Sequence, residues 1–185
     1  TIDNLDGLGA VDYSAAVCSG QGAAALKIMR TLNAPSRCSG MLDVADAGLA
    51  VPARRARAVV TPDNGVVLFT GSLATEPEQV YAGMSTAGAA YRVAFNAVSD
   101  EWLLDRQAYL LKGVALAQAG GEVLASMTQR GAPGVLGTTG IARSQVVGVF
   151  EPAQSATWSE NAGTLAAAGY AAYRAVEGAI HLATA

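Results

Sequence analysis

Residues 91–112 read YRVAFNAVSDEWLLDRQAYLLK, and this stretch decides the fold. Tyr91, Val93, Phe95 and Ala97 alternate with Arg92 and Asn96, which is the period of a half-buried β-strand. Ser99-Asp100-Glu101 breaks that alternation. Trp102-Leu103-Leu104-Asp105-Arg106 then has the composition of one helical turn. Ser99 is its expected cap, and the carboxylates of Asp100 and Glu101 would sit at its positive end. Strand character returns from Gln107 to Leu111. A strand that runs into a capped turn bearing Trp102, Leu103 and Leu104 is expected to be a plug, closing the end of a β-barrel or sandwich with large apolar side chains.

Working back towards the N-terminus, strands are expected over 11–17, 24–32, 37–44, 55–61 and 66–74. Asn33-Ala34-Pro35-Ser36 supplies turn chemistry between two of them, because Pro presets φ while Asn and Ser bond their own backbone. Pro62-Asp63-Asn64-Gly65 is the strongest turn signal, since Asn-Gly accepts the positive φ of a tight hairpin. Residues 83–89 read as a small-residue loop. Short strands at intervals of roughly 8–12 residues point to an antiparallel barrel or sandwich. Beyond Gly113 the texture changes. Glu122 to Arg130 reads as helix, Gly131 to Gly140 as a glycine-rich loop, and Gln145 to Phe150 as strand. Thr157-Trp158-Ser159-Glu160 opens a second helix, with Ser159 as the expected N-cap and Gly169 as its stop. Strands on either side of Glu177-Gly178 follow. The expected class is mainly β with minor α (α+β). It comprises an antiparallel β-barrel over 1–113, a helix and glycine-rich connection over 114–150, and a small helix-plus-hairpin unit over 151–185.

Of the 185 residues, 51% are hydrophobic and only 15% charged. Soluble proteins average about 25% charged residues, so this surface is expected to be committed to contacts, as in a subunit of an assembly. No run approaches the roughly 18 apolar residues of a membrane helix. The net charge is −3, and Arg54, Arg55 and Arg57 form the one basic cluster, so neither nucleic acid nor anionic lipid is an expected partner. Arginines entering a strand are expected to ward off edge pairing or to meet an acidic partner. Cys18 and Cys38 stand alone as a possible pair, without a disulfide framework. An N-terminal residue other than Met and an apolar, strand-like end suggest an excised portion of a longer polypeptide.

Catalytic equipment is sparse. His181 is the one histidine, and it is expected as a solvent-facing strand residue rather than a base or ligand. One His and two separated Cys make a poor zinc set, and neither nucleotide-binding glycine motif occurs. No cofactor or metal is expected. Asp100, Glu101 and Asp105 could form a glycosidase pair or a metal cage in principle, but helix capping and pairing to Arg106 explain them more simply. Thr1 resembles the nucleophile of N-terminal-threonine hydrolases such as proteasome subunits. Lys27 and Asp12 match that pattern only loosely, which makes such a hydrolase the third reading. Trp102 and Trp158 are expected as core anchors rather than sugar platforms.

Three stretches together resemble a known family. The matching residues are Arg30, Leu32, Asn33, Pro35 and Ser36; then Asp100, Leu103, Leu104, Asp105 and Arg106; then Leu165, Ala166, Gly169, Tyr173, Gly178, Ile180 and Leu182. In this order they look like the N-terminal part of phage tail hub and baseplate proteins. The match spans most of residues 24–183 at low density, and no single motif is specific. Ala97, Val98 and Ser99 depart from the pattern, as does the Ala-rich run through the 160s. The resemblance implies a structural, non-enzymatic virion tail component, commonly a trimer, that contacts other tail or baseplate subunits. Outside a prophage setting the expected location is cytoplasmic. Trp102, Leu103 and Leu104 would then plug the first barrel, Trp158 would help dock the second unit, and Arg54 and Arg55 would be contact candidates. The rival class is a ligand- or carbohydrate-binding β-domain of an extracellular protein.

Overall fold

The computed structural model of the chain describes residues 1–18, 26–44, 49–86, 88–107, 113–131, 134 and 136–184. They fall into two compact units: residues 1–29 with 37–98, and residues 30–36 with 99–185. The division thus lies at Val98/Ser99 rather than near Gly113, and the short 30–36 segment belongs with the C-terminal half.

Unit 1 is a mainly antiparallel sheet. In chain order its strands are β1 (Ile2–Asp3), β2 (Ala10–Val11), β3 (Leu26–Met29), β4 (Arg37–Val44), β5 (Arg57–Val60), β6 (Phe69–Leu73), β7 (Glu78–Ser85) and β8 (Gly88–Ser99, ending at the unit boundary). A 3₁₀ turn at Ser14–Ala16 follows β2. The hydrogen-bonded order is β2-β1-β5-β6-β8-β4-β3, with β7 also on β8. The expected barrel is not closed: among the described residues no pair joins the β2 end to the β3 end. Leu5, Gly7 and Gly9 all adopt positive φ, which turns the chain after only two residues of β1. That leaves no strand long enough to span the seam.

β8 is the spine of this sheet. It pairs with β4 from Tyr91↔Val44 to Val98↔Arg37, while β6 and β7 share its other edge. Val93, Phe95 and Ala97 point into the core, as their alternation requires, but Tyr91 is exposed. Its alternation ends at the last β4 pair, Tyr91↔Val44, at the margin of the core. The Pro62-Asp63-Asn64-Gly65 turn forms, but not as a tight two-residue hairpin, because Asn64 does not take positive φ and the strands it joins end at Val60 and resume at Phe69. Gly65 has φ +77°, the Gly65 N–H donates to the Pro62 carbonyl at 2.9 Å, and the Val66 N–H donates to Asn64 Oδ1 at 3.1 Å. β5 and β6 then pair from Val60↔Phe69 to Arg57↔Ser72. Gly71 is fixed by close approach, because a Cβ there would strike the Val98 carbonyl and the Phe69 ring. The described residues of the 83–89 stretch do not form a loop. β7 and β8 pair as far as Ser85↔Gly88, with a β-bulge between Tyr81 and Gly83. Glycine at 83 and 88, with φ +121° and +124°, makes the bulge and the tight return possible.

Unit 2 contains α1 (Glu101–Asp105), β9 (Ala115–Ala119), α2 (Gly120–Gly131), β10 (Gly137–Ile141), β11 (Val146–Phe150), α3 (Trp158–Ala168), β12 (Ala171–Val176) and β13 (Ala179–Thr184). β12 and β13 form a hairpin in which Glu177 and Gly178 both have positive φ, at 53° and 72°. Those angles suit the right-handed twist of the two strands. β10 adds to β13 in parallel, in a segment whose glycines signal a loop. The glycines are needed for this contact: a Cβ at Gly140 would run into the His181 ring, and one at Gly137 would press on Ala179. β9 and β11 form a separate two-stranded ribbon. The core gathers Leu104, Leu124, Met127, Phe150, Trp158, Leu165, Tyr173 and Ile180 with their neighbours. The strand expected over 107–111 lies almost wholly outside the described residues. No helix among the described residues is long and apolar enough to cross a membrane.

Candidate assembly surfaces and the buried corner

The corner at residues 99–106 is where the sequence concentrates acidic and aromatic groups. Ser99 does not cap α1 with its side chain. Instead the Ser36 N–H donates to Ser99 Oγ at 2.8 Å, and the Ser99 N–H donates to the Ser36 carbonyl at 3.0 Å. This reciprocal clasp ties the 30–36 segment to the start of unit 2. Asp100 holds the N-cap position without a side-chain cap bond, and both Asp100 and Glu101 are buried rather than solvated at a helix end. Glu101 Oε1 accepts the Ala175 N–H of β12 at 2.7 Å, while Oε2 is buried with no partner. Burial pushes the Glu101 carboxyl above its ordinary value, and the Ala175 N–H only partly opposes that shift. Asp105 does not pair with Arg106. It accepts the Ser159 N–H at 2.8 Å and so satisfies a first-turn donor of α3. Burial raises its carboxyl too.

The α3 cap is Thr157, not Ser159. Thr157 Oγ1 accepts the Glu160 N–H at 3.2 Å, and Glu160 Oε2 accepts the Thr157 N–H at 2.7 Å, a complete capping box. The T-x-x-E spacing that encodes it stands openly in the sequence.

The plug residues separate. Leu104 is fully buried, but in the core of unit 2 rather than beneath the unit 1 sheet. Trp102 and Leu103 are half-buried, and the Arg106 guanidinium lies 4.6 Å from the centre of the Trp102 ring. Helical geometry explains the split, since consecutive residues of one turn face different directions. Trp158 is fully buried and meets the edge of Tyr173 at 5.4 Å and 87°. Arg54 and Arg55 occupy an exposed turn ahead of β5. Arg55 has φ +72°, and its N–H donates to the Leu73 carbonyl at 2.9 Å. His181 is half-buried across from Arg174 on β12. The Thr1 amine donates to the Val59 carbonyl at 2.8 Å within sheet pairing. Cys18 and Cys38 are free thiols, and burial pushes Cys38 up to about 11. No group of three His, Cys, Asp or Glu among the described residues is placed to hold a metal ion.

Two asparagines organise unit 2, and the sequence patterns announce neither role. Asn33 Nδ2 donates to the Ala171 carbonyl at 3.2 Å and its Oδ1 accepts the Tyr173 N–H at 2.9 Å, so one amide serves the edge of β12 as a short strand would. Asn161 does the same for Ala153, with bonds of 2.8 and 3.0 Å. Asn33→Ala is expected to destabilise unit 2 by about 1–2 kcal/mol, the cost of leaving backbone groups unpaired. Denaturant unfolding followed by circular dichroism measures this, and an unchanged midpoint would remove Asn33 from that role.

Among the described residues, two ribbons carry clusters of exposed apolar side chains. The β7–β8 hairpin runs past the last described residue of β4, with Met84 75% exposed there; Tyr81, 58% exposed, Val80 and Tyr91 lie open beside the last β4 pairs. Tyr81 and Tyr91 are cross-strand partners whose rings meet edge to face at 5.9 Å. In unit 2, the β9–β11 ribbon exposes Leu116, Val146 and Val149. Residues from both ends of the unit 1 strand path, among them Ile2, Val60, Leu26 and Leu42, line a cleft of about 430 Å³ at the open seam.

A mainly β chain with small helices, an open antiparallel sheet and a helix-plus-hairpin second unit defines a fold that occurs in phage tails. The structure is similar to that of the 43 kDa tail protein of prophage MuSo2 from Shewanella oneidensis, with a TM-score of 0.58 and 13% sequence identity. The similarity covers 85% of this chain and 49% of that one, so the chain spans about half the length of that protein. No protein-family model and no curated protein matches the sequence.

Proposed function

We infer that this chain is a structural, non-catalytic component of a phage or prophage tail, at the hub or baseplate, where it assembles with further copies of itself as a trimer and with other tail subunits. The observation that carries this reading is the fold shared with a prophage tail protein over most of the chain. The employment of the acidic groups supports the non-catalytic part: Glu101 and Asp105 each hold a backbone donor of a neighbouring element. The exposed β7–β8 arm and β9–β11 ribbon supply apolar surface of the kind that contacts need. The reading places the protein in the virion tail.

Induction of the source prophage, purification of the particles and immunogold labelling test this directly. Label at the distal end of the tail is the expected result, and particles free of label would overturn it. The rival reading, a carbohydrate- or ligand-binding domain, draws on the seam cleft and predicts specific binding on a glycan array. A tail component predicts none.

A further inference from the structure

We propose that the free edge of β7 in one copy pairs with the free edge of β3 in the next copy, so that the unit 1 sheet continues from chain to chain. This names the contact through which the proposed assembly runs and takes only its tail setting from that reading.

β7 is eight residues long and, among the described strands, pairs with β8 alone. All residues from Glu78 to Ala82 are exposed. Beyond Tyr91 the described residues give the arm two strands, and a two-stranded ribbon is marginal in water without cover. A long edge that shows Val80, Tyr81 and Met84 to solvent is a template for another strand. β3 closes the other end of the described strand path, with Lys27 and Met29 exposed. The straight run Glu78–Tyr81, ahead of the bulge, matches the four residues of β3 in length. The two edges are also opposite in charge: Glu76 and Glu78 lead into β7 and are exposed, whereas Lys27 stands on β3. Opposite charges across paired strands favour association and like charges oppose it. Because the joined edges differ, the contact is heterologous and propagates around a ring or along a filament instead of stopping at a dimer.

Sedimentation velocity and light scattering of the full chain over a concentration series test the contact. Glu76→Lys with Glu78→Lys is expected to weaken association roughly threefold to fivefold, as is Lys27→Glu alone, and the combination is expected to recover it. Tyr81→Lys with Met84→Lys is expected to abolish assembly while lowering the thermal midpoint only by the loss of the Tyr81–Tyr91 ring contact, since both side chains are exposed in the single chain. A wild-type chain that stays monomeric at every concentration overturns the proposal. So does a Tyr81→Lys/Met84→Lys variant that assembles normally, or a charge-swapped combination no better than its parts. A dimer indifferent to Lys27→Glu indicates β7-to-β7 pairing and also overturns it. Each of these outcomes leaves the tail reading to the particle labelling, which can succeed when this contact fails.

Discussion

Replacing Trp158 with Ala is expected to cost about 3–5 kcal/mol, the range for emptying a buried aromatic site, while Trp102→Ala costs only about 1–2 kcal/mol. The sequence treats the two tryptophans alike, but their surroundings differ. Trp158 is fully enclosed in the unit 2 core, in edge-to-face contact with Tyr173, which is itself held by its hydroxyl donating to the Ser159 carbonyl at 3.1 Å. Removing the indole leaves a cavity bounded by α1, α3 and β12, whose positions Asp105, Glu101 and the capping box fix by hydrogen bonds, so the walls collapse poorly. Trp102 is half-buried, and much of its contact is with the Arg106 guanidinium. Its loss forfeits part of an apolar face and one cation–π contact. Urea unfolding followed by far-ultraviolet circular dichroism separates the two. Equal losses, or a larger loss at Trp102, would mean that the corner packs through Trp102 as the plug reading required. Trp158→Phe should be milder than Trp158→Ala, because the indole N–H is buried without an acceptor and phenylalanine removes that donor.

The strand–turn–strand grammar of unit 1 was readable because it is local. Alternation at Val93, Phe95 and Ala97 and the Asn64-Gly65 turn each depend on a few adjacent residues, and both stand where the residues place them. The Glu177-Gly178 hairpin was legible in unit 2 for the same reason. Closure of the sheet was not legible, since it depends on whether chain ends distant in sequence meet. Nor was β10, whose glycines read as loop but serve to let the backbone lie close against His181 and Ala179. The β7–β8 arm was lost to a similar error, because Gly83 and Gly88 punctuate a hairpin rather than dissolve it. The corner misled in another way. Ser99, Asp100, Glu101 and Asp105 have the composition of a helix cap, but the bonds of Ser99, Glu101 and Asp105 run to Ser36, Ala175 and Ser159, and no local pattern announces a partner dozens of residues away.

The stability of unit 2 is expected to fall as pH rises above the ordinary carboxyl value of 4.5, and Glu101→Gln is expected to remove most of that fall. The carboxyl of Glu101 is buried, with one oxygen on the Ala175 N–H and the other without a partner. Burial therefore raises its pKa from the ordinary 4.5. The direction follows from proton counting. Below 4.5 the folded and unfolded chains both carry the proton. Above it the unfolded chain releases the proton while the folded chain keeps it, so stability declines with pH until the raised folded pKa is passed, and there the loss is complete. Asp105, also raised by burial, adds a contribution of the same sign. The neighbouring Asp100 pushes Glu101 further in the same direction, and the Ala175 N–H offsets the shift only in part. The glutamine side chain of the Glu101→Gln variant keeps a carbonyl oxygen for the Ala175 N–H and carries no charge at any pH, so its profile should be nearly flat apart from the Asp105 share. Glu101→Ala separates charge from packing, because it also leaves the Ala175 N–H unpaired and should be less stable than Glu101→Gln throughout. Thermal midpoints from about pH 4 to 9, spanning the ordinary and raised carboxyl ranges, decide the matter for the three chains. A wild-type midpoint that rises with pH, or a Glu101→Gln chain that tracks the wild type, would show that Glu101 is ionised at no cost in the folded protein.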